Sequence, residues 1–258
     1  MKQLHGITIL ITRDAAQAGS LKEQLEEKGA TVVCVPTISI GDPPDWIPFD
    51  RASEELERFD WIIFSSVNAV IQTIKRLRHN QIEWKDLDLP ATAAVGDQTA
   101  QSLKENGWEV TLIPDRFQAE DLGSSMIARG VEGKKVWLPR ALKARNILVE
   151  LLEKAGAEVL VTPVYQNSVP LENREKLHSV LKNSLPDWIT FTSSSTVDNF
   201  FKILGENIAG LKLPKIASIG RVTSETLQKY SLQPVFTADP QNLEGLCGGI
   251  IRWETEKA

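Results

Sequence analysis

The chain has 258 residues, 42% of them hydrophobic, and a formal net charge of −5. A chain of this length can build one large domain or two ordinary ones, and two is the prediction. The chain is acidic, and it has no lysine or arginine block longer than two residues. This charge pattern argues against nucleic acid or a membrane surface as the main partner, and it is compatible with a local basic cleft.

Short apolar runs rich in β-branched residues alternate with amphipathic segments along the first half of the chain. Such alternation predicts parallel strands joined by helices. The predicted strands are 7–11, 30–35, 61–64, 89–95 and 109–113. The predicted helices are one through Leu21 that stops at Gly29, one around Glu54 after a proline-rich loop, and those at 67–77, 99–105 and 119–128.

The same pattern starts again near residue 136. The predicted strands are 136–138, 157–161, 188–191, 215–220 and 234–236, with helices through Leu148, over 197–204 and from Thr223. Equivalent residues keep a nearly constant offset. The pairs are Arg13 and Arg140, Gly29 and Gly156, and Asp60 and Asp187 at 127 residues, then Gly96 and Gly220, and Thr99 and Thr223 at 124. The sequence therefore predicts two similar α/β units, each with a mostly parallel sheet covered on both faces.

Two extended crossings, which begin at Pro36 and Pro163, suggest how these units divide the chain. If about 36–40 and 163–168 form a two-stranded hinge, the first two strands belong with the last three. The predicted domains are then 1–36 with 169–258, a discontinuous domain, and 37–168, with five strands in each. A cut near Gly133, which keeps each half whole, is the simpler alternative.

Two similar stretches, WIIFSSVNAV at 61–70 and WITFTSSSTV at 188–197, predict a strand, a sharp turn and a helix N-terminus. Free backbone N–H groups and the positive end of a helix dipole lie at such a turn, which suits a carboxylate or phosphate. Two copies predict two such places facing one ligand. The candidate residues are Ser65, Ser66, Asn68, Thr192, Ser193, Ser194 and Thr196. The alternative for each is an ordinary turn or cap residue.

A second repeated element, AVGDQTAQSL at 94–103 and SIGRVTSETL at 218–227, has the form strand, glycine, two residues, threonine, helix. Glycine lets the backbone turn closely past a ligand, and the threonine can offer a hydroxyl beside the first helical N–H groups. The candidates are Gly96, Thr99, Gly220 and Thr223. The alternative is that both threonines are ordinary N-terminal caps.

Two arginines and a tyrosine complete the candidates. Arg13 and Arg140 lie one residue past their strands, where a guanidinium could hold a carboxylate through two hydrogen bonds, and Thr12 precedes Arg13 at the same strand end. A surface ion pair is the competing role for each arginine. Tyr165 lies on the second crossing, where its phenol is expected to face the gap between the domains or to pack in the hinge.

Several common chemistries lack their sequence signals. The chain has no GxxxxGK[ST] loop, GxGxxG after a strand, GxSxG, HExxH or CxxC. Its three histidines are not spaced with other ligands, which gives a metal site little support. Cys34 and Cys247 are typical of reduced thiols in a cytoplasmic protein, and no signal peptide or membrane span is predicted. Hydroxyls, amides and a few arginines favour the binding and steering of a polyanion.

The order and spacing of these motifs resemble the uroporphyrinogen-III synthase family over essentially the whole chain. The matching segments are ILITR, DWIIFSSVNAV, AAVGDQTAQSLKENGW, VYQN, DWITFTSSSTVDNF, ASIGRVTSETL and NLEGL. The resemblance implies two flavodoxin-like α/β domains joined by a two-stranded hinge, with the first domain built from both chain ends. It also implies an enzyme of tetrapyrrole (haem) biosynthesis that needs no cofactor.

The implied substrate is hydroxymethylbilane, a linear tetrapyrrole with eight carboxylates. Loss of its terminal hydroxyl as water and attack by the substituted carbon of the last ring give a spiro intermediate. Reopening and reclosure then invert that ring and form uroporphyrinogen III. The protein's task is to fold the substrate so that this carbon is the near one.

The resemblance also assigns residues and partners. The family's contact positions map onto Ser66, Thr99, Ser193, Ser194 and Thr223. Tyr165 is the candidate that helps the hydroxyl leave, as a weak acid or an orienting donor. A monomer that receives its substrate from the preceding pathway enzyme is expected, without nucleic acid or membrane. A non-catalytic two-domain clamp for a small anion is the rival interpretation, and a relative without activity is a third.

Overall fold

The computed structural model describes residues 3–13, 15–84, 87–116, 118–205 and 212–256, without the side chains of 15–19. Contacts between Cα atoms divide the chain into two compact units, Met1–Ser39 with Ser168–Ala258, and Ile40–Asn167. Both are α/β units with a five-stranded sheet. The limits 36/37 and 168/169 remain a prediction about where independently folding domains begin and end.

The first unit uses strands from both ends of the chain. Its sheet has the order β10-β9-β8-β1-β2, and all four neighbouring pairs are parallel. The strands are β1 (Thr8–Ile11), β2 (Thr31–Cys34), β8 (Trp188–Phe191), β9 (Lys215–Ser218) and β10 (Phe236–Thr237). The helices are α1 (Ala15–Glu27), α7 (Arg174–Asn183), α8 (Ser194–Leu204), α9 (Arg221–Lys229) and α10 (Leu243–Thr255).

Alternate side chains of these strands enter two separate cores. Ile9 and Ile11 pack with α1 and α10, whereas Leu10 packs with α7, α8 and α9. Because successive side chains of a strand point to opposite faces, both faces of this sheet are buried under helices.

The second unit lies between the two parts of the first in sequence. Its sheet has the order β3-β7-β6-β4-β5, and the pairs β7–β6, β6–β4 and β4–β5 are parallel. The strands are β3 (Ser39–Gly41), β4 (Trp61–Phe64), β5 (Ala91–Ala94), β6 (Lys135–Ala141) and β7 (Glu158–Ser168). The helices are α2 (Ile47–Ser53), α3 (Val67–His79), α4 (Asp97–Glu105), α5 (Ala119–Ile127) and α6 (Ile147–Lys154). The two core clusters place α2, α3 and α4 on one face and α5 and α6 on the other.

The repeated Asp-Trp pair fixes a strand in the same way in both units. The carboxylate of Asp60 accepts the backbone N–H of Lys135 at 2.9 Å, and that of Asp187 accepts the N–H of Thr8 at 2.8 Å. Each aspartate therefore joins its own strand to the neighbouring one. A hydrogen bond from the side chain of Lys134 and, as a smaller cause, one from the backbone N–H of Lys135 lower the pKa of the Asp60 carboxyl.

The structure corrects several predicted elements. Residues 109–113 form only an isolated bridge from Leu112 to Ala93, because the N–H groups of Thr111 and Leu112 both bond to the carbonyl of Thr92 and no ladder extends. The strand and crossing predicted after residue 157 are one continuous strand, β7. Helix α2 begins inside the predicted proline-rich loop, and α7 and α10 were not predicted. Within the described residues no helix is long and apolar enough to cross a membrane.

Candidate functional site

In each unit the candidate residues follow the carboxyl ends of adjacent parallel strands. Ser65 and Ser66 follow β4, and Gly96 follows β5. Arg140, predicted one residue past its strand, is instead the last residue but one of β6, because that strand continues to Ala141. In the first unit, Arg13, Ser193 and Gly220 come after β1, β8 and β9. Since β6-β4-β5 and β9-β8-β1 are neighbours, each set shares one edge of its sheet. This edge is where ligands of open α/β sheets bind.

Two of the candidate serines cap helices. Ser66 is the N-cap of α3, and its Oγ accepts the N–H of Ala69 at 3.1 Å. Ser193 is the N-cap of α8 and forms a reciprocal capping box with Thr196, whose Oγ1 accepts the N–H of Ser193. Capping was the alternative role for these residues, and the structure shows that they fill it.

The threonines of the second repeated element do not cap their helices. The N-caps of α4 and α9 are Gly96 and Gly220, and neither helix has a side-chain cap hydrogen bond. Thr99 and Thr223 lie three residues further along, 6% and 4% exposed. The capping alternative is therefore wrong for both threonines. The first backbone N–H groups of these two helices have no side-chain acceptor, as an anion site requires.

Close packing accompanies one of these glycine turns. A Cβ at Gly220 would lie 2.5 Å from Oε1 of Gln241, so a side chain there requires Gln241 to move. Beside it, Oγ of Ser224 lies 2.7 Å from Oγ of Ser218 and 2.8 Å from Oγ1 of Thr237. These hydroxyls were missed in the sequence, because nothing in the linear pattern brings the end of β10 to the first turn of α9.

Tyr165 is a buried residue of the second unit. Its ring belongs to the core cluster of α2, α3 and α4 and is 6% exposed. Its hydroxyl lies 3.3 Å from Oγ of Ser66, at the N-terminus of α3. The phenol is therefore joined to one of the predicted turns of its own unit.

Neither candidate arginine forms an ion pair within the part of the chain that the structure describes. Arg13 is half-buried, and burial lowers the pKa of its guanidinium. Burial likewise lowers the pKa of Arg140, whose Nη1 and Nη2 donate to the carbonyl of Arg145 (2.9 Å) and Oδ1 of Asn146 (2.6 Å). The ion-pair alternative thus has no carboxylate partner among the described residues. A partly desolvated cation is suited to an incoming anion.

The remaining candidates differ in the hydrogen bonds and the exposure of their side chains. Oγ1 of Thr12 donates to the carbonyl of Thr190 at 2.8 Å, so it ties β1 to β8. Oγ of Ser194 is 3.4 Å from the carbonyl of Val222 and links α8 to α9. Asn68 is half-buried in the first turn of α3, and Ser65 is exposed. Ser65 and Arg140 both line a cavity of about 460 Å³ in the second unit.

A protein family, a curated relative and two solved structures each match most of the length of this chain. The family model described as uroporphyrinogen-III synthase HemD matches residues 19–248. A uroporphyrinogen-III synthase of Synechococcus elongatus is 35% identical over 256 residues, 97% of this chain and 96% of that protein. The solved uroporphyrinogen-III synthetase of Helicobacter pylori has a TM-score of 0.62 at 19% identity, covering 96% of this chain and 99% of that one. A mutant uroporphyrinogen III synthase of Thermus thermophilus gives 0.61 at 17%, covering 98% and 100%.

The solved structures confirm the predicted α/β fold class, with two five-stranded and mostly parallel sheets. The family match and the cyanobacterial relative confirm the resemblance read from the motifs. The chain belongs to the uroporphyrinogen-III synthase family and is a hydro-lyase of tetrapyrrole biosynthesis.

Proposed function

We propose that this enzyme converts hydroxymethylbilane to uroporphyrinogen III, with loss of water and inversion of the last pyrrole ring. The observation that carries this proposal is the pair of glycine-capped helices, α4 and α9, whose first N–H groups have no side-chain acceptor. Helix N-termini bind carboxylates without any net protein charge. An acidic chain can therefore hold a substrate with eight carboxylates.

The residues proposed to contact the substrate share these strand ends. They are Thr12, Arg13, Ser65, Ser66, Asn68, Gly96, Thr99, Arg140, Ser193, Ser194, Gly220 and Thr223. Thr99 and Thr223 have the strongest support among the hydroxyls, because helix capping does not account for them. The cap residues Ser66 and Ser193 have the weakest, since their Oγ atoms already accept a backbone N–H.

Tyr165 is proposed to assist departure of the substrate hydroxyl. Oγ of Ser66 accepts the N–H of Ala69 and lies 3.3 Å from the phenol oxygen, and either hydroxyl can be the donor of that second bond. The proposed role requires the arrangement in which Ser66 donates. The phenol proton is then free to be donated to the leaving oxygen. As the C–O bond breaks, water departs with that proton and leaves a phenolate and an azafulvenium ion. Transfer of the pyrrole N–H proton to the phenolate then gives the neutral, electrophilic azafulvene and restores the phenol. A phenol is a poor acid at neutral pH, which makes orientation the larger part of this role.

The inversion itself asks for positioning more than for acid or base chemistry. The unassisted chain closes without inversion, so the enzyme must bring the substituted carbon of the last ring to the azafulvene. Holding two reacting atoms in a near-attack arrangement can remove much of the barrier through entropy alone. Many neutral donors around a flexible polycarboxylate suit this task.

The decisive experiment is incubation with freshly prepared hydroxymethylbilane, followed by oxidation and separation of the type I and type III porphyrins. We expect type III to predominate with the enzyme and type I without it. If the protein leaves type I as the main product, the non-catalytic clamp becomes the better description.

The finer statements about partners and location belong to the same proposal. We expect a cytoplasmic monomer that receives hydroxymethylbilane from the preceding enzyme of the pathway. Sedimentation analysis with and without that enzyme tests both the monomer and the transfer complex.

A further inference from the structure

A cavity of about 460 Å³ lies where the N-terminus of α5 meets the loop between β6 and α6. We call it the α5–α6 pocket. Leu138 and Leu148 form part of its apolar wall, and Ser65, Glu120, Arg140 and Arg145 supply polar groups. Pockets for small ligands range from about 300 to 1,000 Å³, so this one admits a single pyrrole ring rather than a whole tetrapyrrole.

Arg140 forms a fixed cationic side of the pocket. Its two terminal nitrogens hold the carbonyl of Arg145 and the side chain of Asn146, and its buried Nε has no hydrogen-bond partner. A cation that is partly removed from water and lacks an anion is unfavourable, and a bound carboxylate offsets that cost.

Arg145 is the cation that the sequence analysis missed. It is exposed on the β6–α6 loop, and its guanidinium makes no hydrogen bond or ion pair with any side chain in the described ranges. The hydrogen bond from Arg140 to its carbonyl holds the loop that carries it. Arg140 therefore positions Arg145 as well as contributing its own charge.

The remaining polar side of the pocket comes from α5. Its N-cap residue, Gln118, makes no side-chain cap hydrogen bond, and both Gln118 and Glu120 line the pocket. The free N–H groups of a first helical turn favour an anion. Glu120 opposes one, but in the described structure its carboxylate is paired with neither arginine. Two positive side chains thus face one negative side chain.

We infer that the α5–α6 pocket binds one pyrrole ring of the linear tetrapyrrole through its carboxylate arms, an inference that rests on the proposed function. Arg140 and Arg145 contact the carboxylate arms, Arg140 also positions Arg145 through the hydrogen bond to its carbonyl, and the leucines pack against the ring. Glu120 limits the affinity through repulsion of the bound anion.

Four substitutions test this assignment through KM for hydroxymethylbilane. Arg140→Gln is expected to raise KM about 10-fold, as for the loss of a charge-assisted hydrogen bond. Arg145→Gln, at a more exposed position, is expected to raise it about 3-fold. Glu120→Gln should lower KM. Arg129→Gln removes the same charge just beyond the C-terminal end of α5 and should leave KM and kcat unchanged.

A double variant separates positioning from direct contact. If Arg140 acts largely through Arg145, Arg140→Gln adds less to the Arg145→Gln variant than to the wild-type enzyme. Arg145→Lys should restore most of the lost affinity, because it keeps the charge, whereas Arg140→Lys should not, because a lysine lacks the planar fork. In each case kcat should change less than KM.

A direct titration makes the result independent of turnover. The probe is a monopyrrole with one acetate and one propionate arm, and its dimethyl ester is the control. The acid should shift the methyl NMR signals of Leu138 and Leu148, and the ester should not. The pocket assignment is overturned if the acid leaves these signals unchanged, or if Arg145→Gln and Glu120→Gln match Arg129→Gln in KM. Type III product from the wild-type enzyme then still upholds the proposed function. If type III is absent, the titration alone decides the pocket.

Discussion

Tyr165 is a candidate residue whose ring is buried in the core of the second unit. A phenol in the core is expensive unless its hydroxyl has a partner, and here the partner is a serine that already caps a helix. The crossing at 163–166 suggested a functional tyrosine, but nothing in the sequence indicated Ser66 as its neighbour. The two lie 99 positions apart in the sequence, and only the pairing of β7 with β6, and of β6 with β4, brings them together.

Replacement of Tyr165 by phenylalanine should affect catalysis more than folding. We expect kcat to fall about 100-fold, a modest value for a group that assists proton transfer. The free energy of unfolding should fall by only about 1 kcal/mol, because one long hydrogen bond is lost. Urea unfolding and steady-state rates on hydroxymethylbilane measure the two effects.

Tyr230→Phe is the matched control for this substitution. The hydroxyl of Tyr230, the other tyrosine of the chain, donates to Asp198 at 2.9 Å in the first unit. Its loss should cost similar stability and leave kcat unchanged. If Tyr165→Phe cyclises hydroxymethylbilane at the wild-type rate, Tyr165 has no place in the mechanism.

At the scale of elements, the residue that begins a helix indicates whether a nearby hydroxyl caps that helix or stays available to a ligand. Serines cap α3 and α8, whereas glycines begin α4 and α9. Sequence spacing placed these elements in order, but a hydroxyl near a helix start suggests capping and ligand contact equally well. Only the observed N-cap positions show that Thr99 and Thr223 are not caps.

Thr223→Ala should therefore weaken substrate binding more than folding. We expect KM to rise about 10-fold through loss of a donor to a carboxylate. Thr226→Ala is the control on the same helix, since its buried Oγ1 donates to the carbonyl of Val222. That variant should lose stability and keep its KM. Equal losses of stability and KM in both variants would favour a purely structural threonine at 223.

Helix α10 was missed because its glycine-rich sequence has a low intrinsic helix propensity. Its packing explains those glycines. A Cβ at Gly245 would lie 2.0 Å from the backbone oxygen of Pro240, and a Cβ at Gly249 would lie 2.1 Å from the ring of Phe236. At Gly248 a Cβ would meet nothing within 4 Å. Tertiary contact thus overrides propensity in this helix.

Alanine scanning of these glycines should give opposite signs. Gly245→Ala should lower the free energy of unfolding by about 2 kcal/mol, because backbone atoms cannot easily give way. Gly248→Ala should raise it by up to about 1 kcal/mol through better helix propensity. Urea midpoints with a shared slope provide the comparison. A stable Gly245→Ala variant would show that the contact with Pro240 relaxes.

At the scale of the whole molecule, the internal repeat predicts the two sheets better than it predicts the domain boundaries. The offsets of 127 residues identify equivalent strands, and the bonds of Asp60 and Asp187 show the same strand junction in both copies. The constant offset does not say whether one unit takes its strands from one half of the chain or from both halves. That information lies in the pairing of β1 with β8 and of β6 with β4, and in the sequence only the two extended crossings at Pro36 and Pro163 suggested it.

A comparison of fragments tests where the independently folding domains lie. Residues 37–168 contain all five strands of the sheet β3-β7-β6-β4-β5 and the core clusters on both of its faces. We expect this fragment to unfold cooperatively in guanidinium chloride, as small single domains usually do.

Residues 1–133 contain β4 without its neighbour β6, and β1 without its neighbour β8. Both sheets are then interrupted at a central strand, and their exposed apolar faces have too little partner surface to offset the entropy of ordering the chain. Tryptophan fluorescence and NMR dispersion of the two fragments measure the difference. Cooperative unfolding of 1–133 together with a disordered 37–168 would place the boundary near Gly133, because only a cut there keeps each half of the repeat as a complete folding unit.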